Sequence, residues 1–115
     1  MSIDADELAR LGGFHGRIGH VDLTTGRDWY DEHDPVWYRR YGGGGGLAAW
    51  YLLRDIPVGT DALGAANVIV FASSVVAGVD APGVCRHTVL AKSPLSEATG
   101  ESQSCSPFSA ALKRS

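Results

Sequence analysis

The first third of the chain orders its apolar and polar residues in a way that predicts a β-hairpin. Apolar positions in residues 16–30 partly follow a period of two, and residues 22–26 (DLTTG) have the composition of a turn, with a glycine available for positive φ. We expect the second arm from about Arg27 to Glu32, with Trp29 anchoring its inner face.

Two helices are predicted, one on each side of a run of five glycines. Asp34 followed by Pro35 is typical of a helix start, because Asp caps the first turn and Pro suits its first position. After the glycines at 42–46, residues 47–55 are mostly good helix formers and apolar nearly all round, which predicts a buried helix. Pro57 ends that helix.

The N-terminal residues favour a further short helix. Asp4 can cap it, Glu7 follows three residues later as in a capping box, and the glycines at 12 and 13 end it. The alternative is a frayed extension, since helices this short are marginal on their own. We therefore divide the chain into an N-terminal extension, residues 1–13, and a domain, residues 14–115.

The second half of the chain predicts strands and a final helix. Residues 67–72 are a β-branched apolar run typical of a buried strand, and residues 86–92 alternate loosely as a strand does. Residues 96–106 are small and polar, which suits a loop or a weak strand, and Pro107 begins a helix. The elements predict an α+β fold: a β-hairpin and a mixed sheet with two to three short helices.

Charge and hydropathy exclude two classes of partner. The net charge is −3, and the basic residues form no stripe, so we expect no nucleic-acid surface. No apolar run approaches the roughly 20 residues that a membrane span needs. The first seven residues are acidic and unlike a targeting signal, which predicts a cytoplasmic protein.

The predicted compartment determines how the two cysteines are interpreted. In a reducing compartment, Cys85 and Cys105 are expected as free, buried thiols rather than as a disulfide. A zinc site needs four ligands, usually in paired short spacings, and Cys85, His87 and Cys105 offer no such pairing. We therefore predict no metal site in this chain.

The five glycines resemble a phosphate-binding loop only superficially. A P-loop requires Lys and then Ser or Thr after its last glycine, whereas Leu47 follows here. A dinucleotide-binding fingerprint requires a strand before the glycines, and here a short helix precedes them. The run is best interpreted as a flexible or tightly packed turn between two helices.

Arg86 is the most informative charged residue. It lies at the start of a predicted strand, after a Pro-Gly turn and amid apolar residues. A guanidinium there either pairs with an acid or faces an anion, and the residues leave both possibilities open. The serines show no G-x-S-x-G pattern, and the acids at 31, 32 and 34 are interpreted as surface charge.

Five blocks of the chain, taken in order, resemble the N-terminal domain of the aldehyde:ferredoxin oxidoreductase family. The first is the hairpin GRIGHVDLTTG, and the second is GGGGLAAWYLL, similar to the family's "GGRGL…YLL" helix. The others are PVGTDALGAAN, APGVCR and AKSPL. Members are tungsten enzymes that oxidise aldehydes to carboxylic acids, and the resemblance covers residues 16–113.

The resemblance implies a cofactor platform. In the family this domain forms a base of two β-sheets under a bis-pterin cofactor of tungsten, or of molybdenum, with a bridging magnesium ion. The arginine at the position of Arg86 contacts the pterin, and an Asn-Ser-Gly stretch, matched here by Gln103, Ser104 and Cys105, meets it partly through backbone groups. A guanidinium suits the dianionic pterin phosphates.

The sequence departs from the family pattern at several of these positions. Gly45 replaces an arginine of the glycine-rich turn, Gln103 replaces the asparagine, and Cys105-Ser106 replaces two glycines. The cysteines of the family's 4Fe–4S cluster and its acid–base residues lie in later domains, so Cys85 and Cys105 are not cluster ligands. The chain is expected to be a truncated form, about half of the family's first domain.

These implications lead to one functional expectation and two alternatives. The chain is expected to be the tungstopterin-facing portion of an aldehyde oxidoreductase, not catalytic alone, with a second chain supplying the remaining domains. It is otherwise a cofactor-free binding or assembly module that self-associates through an open sheet edge, or a remnant without function.

Overall fold

The chain divides into two compact units, residues 1–41 and residues 42–115, with the boundary at the glycine run. The computed structural model describes residues 14–114. The helix predicted over residues 4–11 lies outside the described residues. Each unit has its own secondary structure and its own buried residues.

The first unit begins with the predicted hairpin. Strands β1 (Arg17–Asp22) and β2 (Arg27–Glu32) pair antiparallel. The Asp22 side chain closes the turn by accepting a hydrogen bond of 2.8 Å from the backbone N–H of Thr24, and this bond holds the pKa of Asp22 below its usual value. The inner-face position expected for Trp29 is wrong, because Trp29 is 41% exposed.

Helix α1 (Pro35–Tyr41) completes the described part of this unit. Its predicted cap is confirmed: Asp34 Oδ1 accepts a hydrogen bond of 2.8 Å from the N–H of Trp37. The ring of Tyr38, 5% exposed, stacks on Phe14 with centroids 4.5 Å apart. Burial, with a smaller contribution from the Glu32 charge, raises the pKa of Tyr38.

The second unit contains a three-stranded sheet in the order β3-β4-β5. Its strands are β3 (Ile69–Ser73), β4 (Arg86–Lys92) and β5 (Thr99–Cys105). The α+β class is confirmed, but every pairing in the two described sheets is antiparallel, so the expected mixed sheet is corrected. The strand alternative for residues 96–106 holds, because β5 pairs along its whole length with β4.

Helix α2 (Gly45–Asp55) covers one face of this sheet. Ala48 and Leu52 pack against Ala72 of β3 and Leu90 of β4 to form the core. Helix α2 was expected to be buried all round, yet Leu53 is 85% exposed, because only one side of the helix meets the sheet. The expectation of a fully buried β3 fails similarly: its outward residues, Ile69 and Phe71, are each 56% exposed.

The helix predicted from Pro107 is confirmed as α3 (Pro107–Arg114), and it lies against the opposite face of the sheet. Ser109 is fully buried, and its hydroxyl lies 2.8 Å from Nδ1 of His87. The ammonium of Lys113 donates to the carbonyl oxygens of Val75, at 2.6 Å, and Ala77, at 3.2 Å. Burial lowers the pKa of Lys113.

Across residues 14–114, no helix combines the length and the apolar character needed to cross a bilayer.

Candidate functional site

The register between β4 and β5 decides which of the predicted site residues share a face. Arg86 is paired directly with Cys105, so their side chains leave the sheet on the same side. Gln103 is two residues before Cys105 and therefore shares that side, which is the side covered by α2. Ser104 lies between them and points to the other side. Three of the four predicted residues are thus brought together, and Ser104 is separated from them.

Arg86 and Gln103 are in contact. Nη1 of Arg86 donates a hydrogen bond of 3.3 Å to Oε1 of Gln103, and both side chains are exposed. Within the described residues Arg86 forms no ion pair. Of the two possibilities that the sequence left open, pairing with an acid is not found among the described residues, and contact with an anion stays a prediction. The guanidinium contacts a neutral amide instead.

Gln103 also contacts a residue that the sequence analysis did not single out. Its Nε2 donates a hydrogen bond of 2.9 Å to Oε1 of Glu101, the next side chain along the same face of β5. The three side chains form a line from Glu101 through Gln103 to Arg86. We name this line the β5 polar row. The spacing of two between Glu101 and Gln103 would have indicated a shared face had residues 96–106 been assigned to a strand.

The glycine run forms a tightly packed turn, in agreement with one of its two interpretations. The N–H of Gly44 donates a hydrogen bond of 3.0 Å to the carbonyl oxygen of Ser73, at the end of β3. A Cβ on Gly43 would stand 2.5 Å from the same oxygen, so only glycine permits this approach. The φ of Gly44 is +60°, and the buried hydroxyl of Thr88 lies beside it.

Gly45 brings the turn next to the β5 polar row. A Cβ on Gly45 would stand 3.1 Å from Oε1 of Glu101, so the missing side chain makes room for the carboxylate. Gly45 begins α2, and a helix start carries partial positive charge on its free N–H groups. The Glu101 carboxylate therefore supplies the acidic group that the first turn of α2 itself lacks.

Cys85 and Cys105 form a disulfide, which corrects the expectation of free thiols. Cys85 immediately precedes Arg86, and Arg86 is paired with Cys105, so the strand pairing brings the two Cα atoms to 5.0 Å. That separation lies within the range that a disulfide spans. The expectation failed because it was drawn from the compartment and not from the pairing of β4 with β5.

The described part of the chain holds no place where three or more His, Cys, Asp or Glu side chains gather as metal ligands do. The candidate site is therefore a polar, cation-bearing surface. Its parts are Arg86, the amide of Gln103, the carboxylate of Glu101 and the glycine turn.

Comparison with known proteins identifies the domain to which this surface belongs. The family model described as the aldehyde ferredoxin oxidoreductase N-terminal domain matches residues 18–115. This chain belongs to that family. The match includes Arg86, Gln103, Ser104 and Cys105, and also the whole glycine run.

Three relatives of the chain carry the name tungsten-containing aldehyde ferredoxin oxidoreductase. The tungsten-containing aldehyde ferredoxin oxidoreductase of Pyrococcus furiosus is 33% identical over 101 residues, which is 88% of this chain. The proteins of the same name from Thermococcus kodakarensis and Pyrococcus abyssi are 31% and 29% identical over the same share. The chain spans 17% of the length of these relatives.

Proposed function

We propose that this chain is the cofactor-facing N-terminal portion of an aldehyde ferredoxin oxidoreductase-like protein, and that it does not complete a reaction alone. In this proposal residues 14–115 are part of the platform domain and residues 1–13 are an extension. The observation that carries it is Arg86: an exposed guanidinium, free of any ion pair in the described residues, at a strand start inside the matched region.

The side chains of Arg86 and Gln103 fit the pterin phosphates of such a cofactor. Arg86 keeps four of its five N–H groups for an anion after donating one to Gln103. The contacts that the resemblance implies for Ser104 and Cys105 cannot be made by their side chains. Ser104 points to the opposite face, and the sulfur of Cys105 is bonded to Cys85, so both could meet the cofactor through their backbone groups alone.

In the proposed role this chain binds and orients, and the other parts of the enzyme carry the reaction. Arg86 offsets phosphate charge and fixes the position of the group, since a planar guanidinium can donate two parallel hydrogen bonds to it. A tungsten or molybdenum pterin cofactor, with magnesium, would supply the two-electron chemistry of aldehyde oxidation if it were bound. In this proposal the 4Fe–4S ligands and the acid–base residues lie in the other parts of the enzyme.

The test is to purify the protein from its native source together with whatever copurifies, and to measure metal and pterin. Tungsten or molybdenum and pterin are expected in the complex. Arg86→Ala should lower pterin retention roughly 10-fold, the effect of losing a charged hydrogen-bond donor. Arg40→Ala, an exposed arginine on α1, is the control and should change nothing. An aldehyde-oxidising complex that holds neither metal nor pterin would contradict the proposal.

A second candidate, an assembly module without cofactor, is favoured by one observation. Every residue of β5 is exposed, and β5 is an edge strand of its sheet. An edge strand presents unpaired backbone groups that can pair with another copy or another chain. Light scattering at high protein concentration distinguishes the two: self-association supports the module, and a stable monomer counts against it.

A further inference from the structure

The β5 polar row places Gln103 between the carboxylate of Glu101 and the guanidinium of Arg86. The hydrogen-bonding chemistry of these groups determines the orientation of the Gln103 amide. An ionised carboxylate only accepts hydrogen bonds, and a guanidinium only donates them. A glutamine amide does both, so with Nε2 donating to Glu101 its Oε1 must face Arg86. Glu101 therefore determines which end of the Gln103 amide meets the arginine.

Glu101 also lies beside the start of α2. Its Oε1 lies where a side chain on Gly45 would have to go, at 3.1 Å from the ideal Cβ position, and next to the positive end of α2. Gly45 thus leaves room for the carboxylate, and the helix start attracts it. The row runs from Glu101, beside the start of α2, through Gln103 to Arg86.

We propose that Glu101 and Gln103 are positioning residues for Arg86, and that they hold the guanidinium toward an anionic ligand without neutralising it. A carboxylate in direct contact would cancel the charge of Arg86, whereas the amide oxygen of Gln103 orients it and leaves the charge intact. The inference rests on the proposed function, in which Arg86 meets phosphate groups. It adds Glu101 and Gln103 as the residues on which that contact depends.

The proposal makes a prediction opposite in sign to simple electrostatics. Removing the negative charge of Glu101 should strengthen anion binding if charge alone matters. If Glu101 positions Arg86, Glu101→Met should weaken binding, because Gln103 loses its acceptor and Arg86 its fixed orientation. Glu101→Gln keeps a carbonyl acceptor at that place and should restore binding at least to the wild-type value.

The experiment uses the full chain with inorganic pyrophosphate as the probe, titrated by calorimetry at low salt. Glu101→Met and Gln103→Met are expected to weaken binding roughly 2- to 10-fold, the effect of losing one orienting hydrogen bond. Asp80→Asn, which removes one exposed negative charge elsewhere in the unit, and Ser102→Ala, on the opposite face of β5, should leave binding unchanged.

A second readout follows Arg86 itself without any ligand. The heteronuclear NOE of the Arg86 Nε–H group reports the order of its side chain on the picosecond to nanosecond timescale. It should be high in the wild type and in Glu101→Gln, and should fall in Glu101→Met. The backbone amide shifts of β4 should stay constant, which a general loss of structure would not allow.

The outcomes separate this inference from the proposed function. Weaker binding together with a lower NOE in Glu101→Met supports the inference. Where Arg86→Ala weakens pyrophosphate binding and the proposed function stands, unchanged or tighter binding in Glu101→Met overturns the inference. An unchanged NOE in Glu101→Met overturns it in every case. If Arg86→Ala binds pyrophosphate as the wild type does while the NOE falls in Glu101→Met, the positioning holds and the proposed function fails.

Discussion

The two faces of the three-stranded sheet each carry a polar side-chain contact, and the two contacts differ in burial. On the α3 face, the imidazole of His87 and the hydroxyl of Ser109 lie 2.8 Å apart, with Ser109 fully buried. On the α2 face, Arg86 and Gln103 are exposed. A histidine beside a serine is the residue pair of a hydrolase, yet its burial leaves no access for substrate. The exposure of Arg86 and Gln103 is the reason that the proposed function is placed on the α2 face.

Removing the disulfide should have the largest effect, because it fixes the end of the sheet where both contacts lie. The Cys85→Ser/Cys105→Ser double variant reopens a loop with a sequence separation of 20. The chain-entropy model gives a loss of about 3 kcal/mol in the free energy of unfolding. Chemical denaturation of this variant against the wild type measures the loss. A wild-type chain whose stability is the same with and without a dithiol reductant would contradict the prediction.

Gly43→Ala should cause the second largest loss in the free energy of unfolding. The new Cβ would meet the carbonyl oxygen of Ser73 at 2.5 Å and the backbone nitrogen of Val75 at 2.9 Å, and neither atom can rotate away. A loss of about 2 kcal/mol is expected from this overpacking. Gly19→Ala is the matched control, since its Cβ would make an ordinary contact at 3.5 Å with Tyr30. Equal midpoints for the two variants in a urea titration would refute the close approach.

Ser109→Ala tests whether the buried contact is structural. Removing the hydroxyl leaves the buried His87 ring without this partner, which should cost about 1 kcal/mol. Pyrophosphate affinity should not change, because the pair lies on the face opposite Arg86. A variant that keeps its stability but loses pyrophosphate binding would reverse the assignment of the two faces.

The smallest effect concerns Lys113 on the α3 side, and its sign follows from burial. Because burial lowers the pKa of Lys113 from its usual 10.5, the unfolded chain binds more protons than the folded chain between the lowered value and 10.5. The stability of the wild type relative to Lys113→Met should therefore rise as the pH increases through that window. Thermal melts of both chains across the alkaline range measure the difference, and a falling difference would contradict it.

The sequence was sufficient to predict the elements whose local signals agree with the pairing seen in the fold. The hairpin turn at 22–26, the cap at Asp34, the strand Arg86–Lys92 and the helix beginning at Pro107 all appear as predicted. Each depends on residues close together in the chain. The family resemblance came from five ordered blocks, and the family is confirmed.

The remaining features depend on which strands pair and in what register. Residues 99–105 are too small and polar to indicate a strand alone, and their pairing with β4 decides it. That register also separates Ser104 from its predicted neighbours and joins Cys85 to Cys105. The role inferred for Glu101 follows from its contact with Gln103, within β5, and from its proximity to Gly45, which is far from Glu101 in the sequence.

The disulfide has a topological consequence. It joins the residue before β4 to the last residue of β5, so the hairpin of these two strands is a closed covalent ring. The exposed tip of that ring contains Leu95, which is 95% exposed. A protease that cuts there would open the ring without releasing a fragment, and the two pieces would separate on a gel only after reduction. The strand that carries Arg86 would stay tied to the strand that carries Gln103.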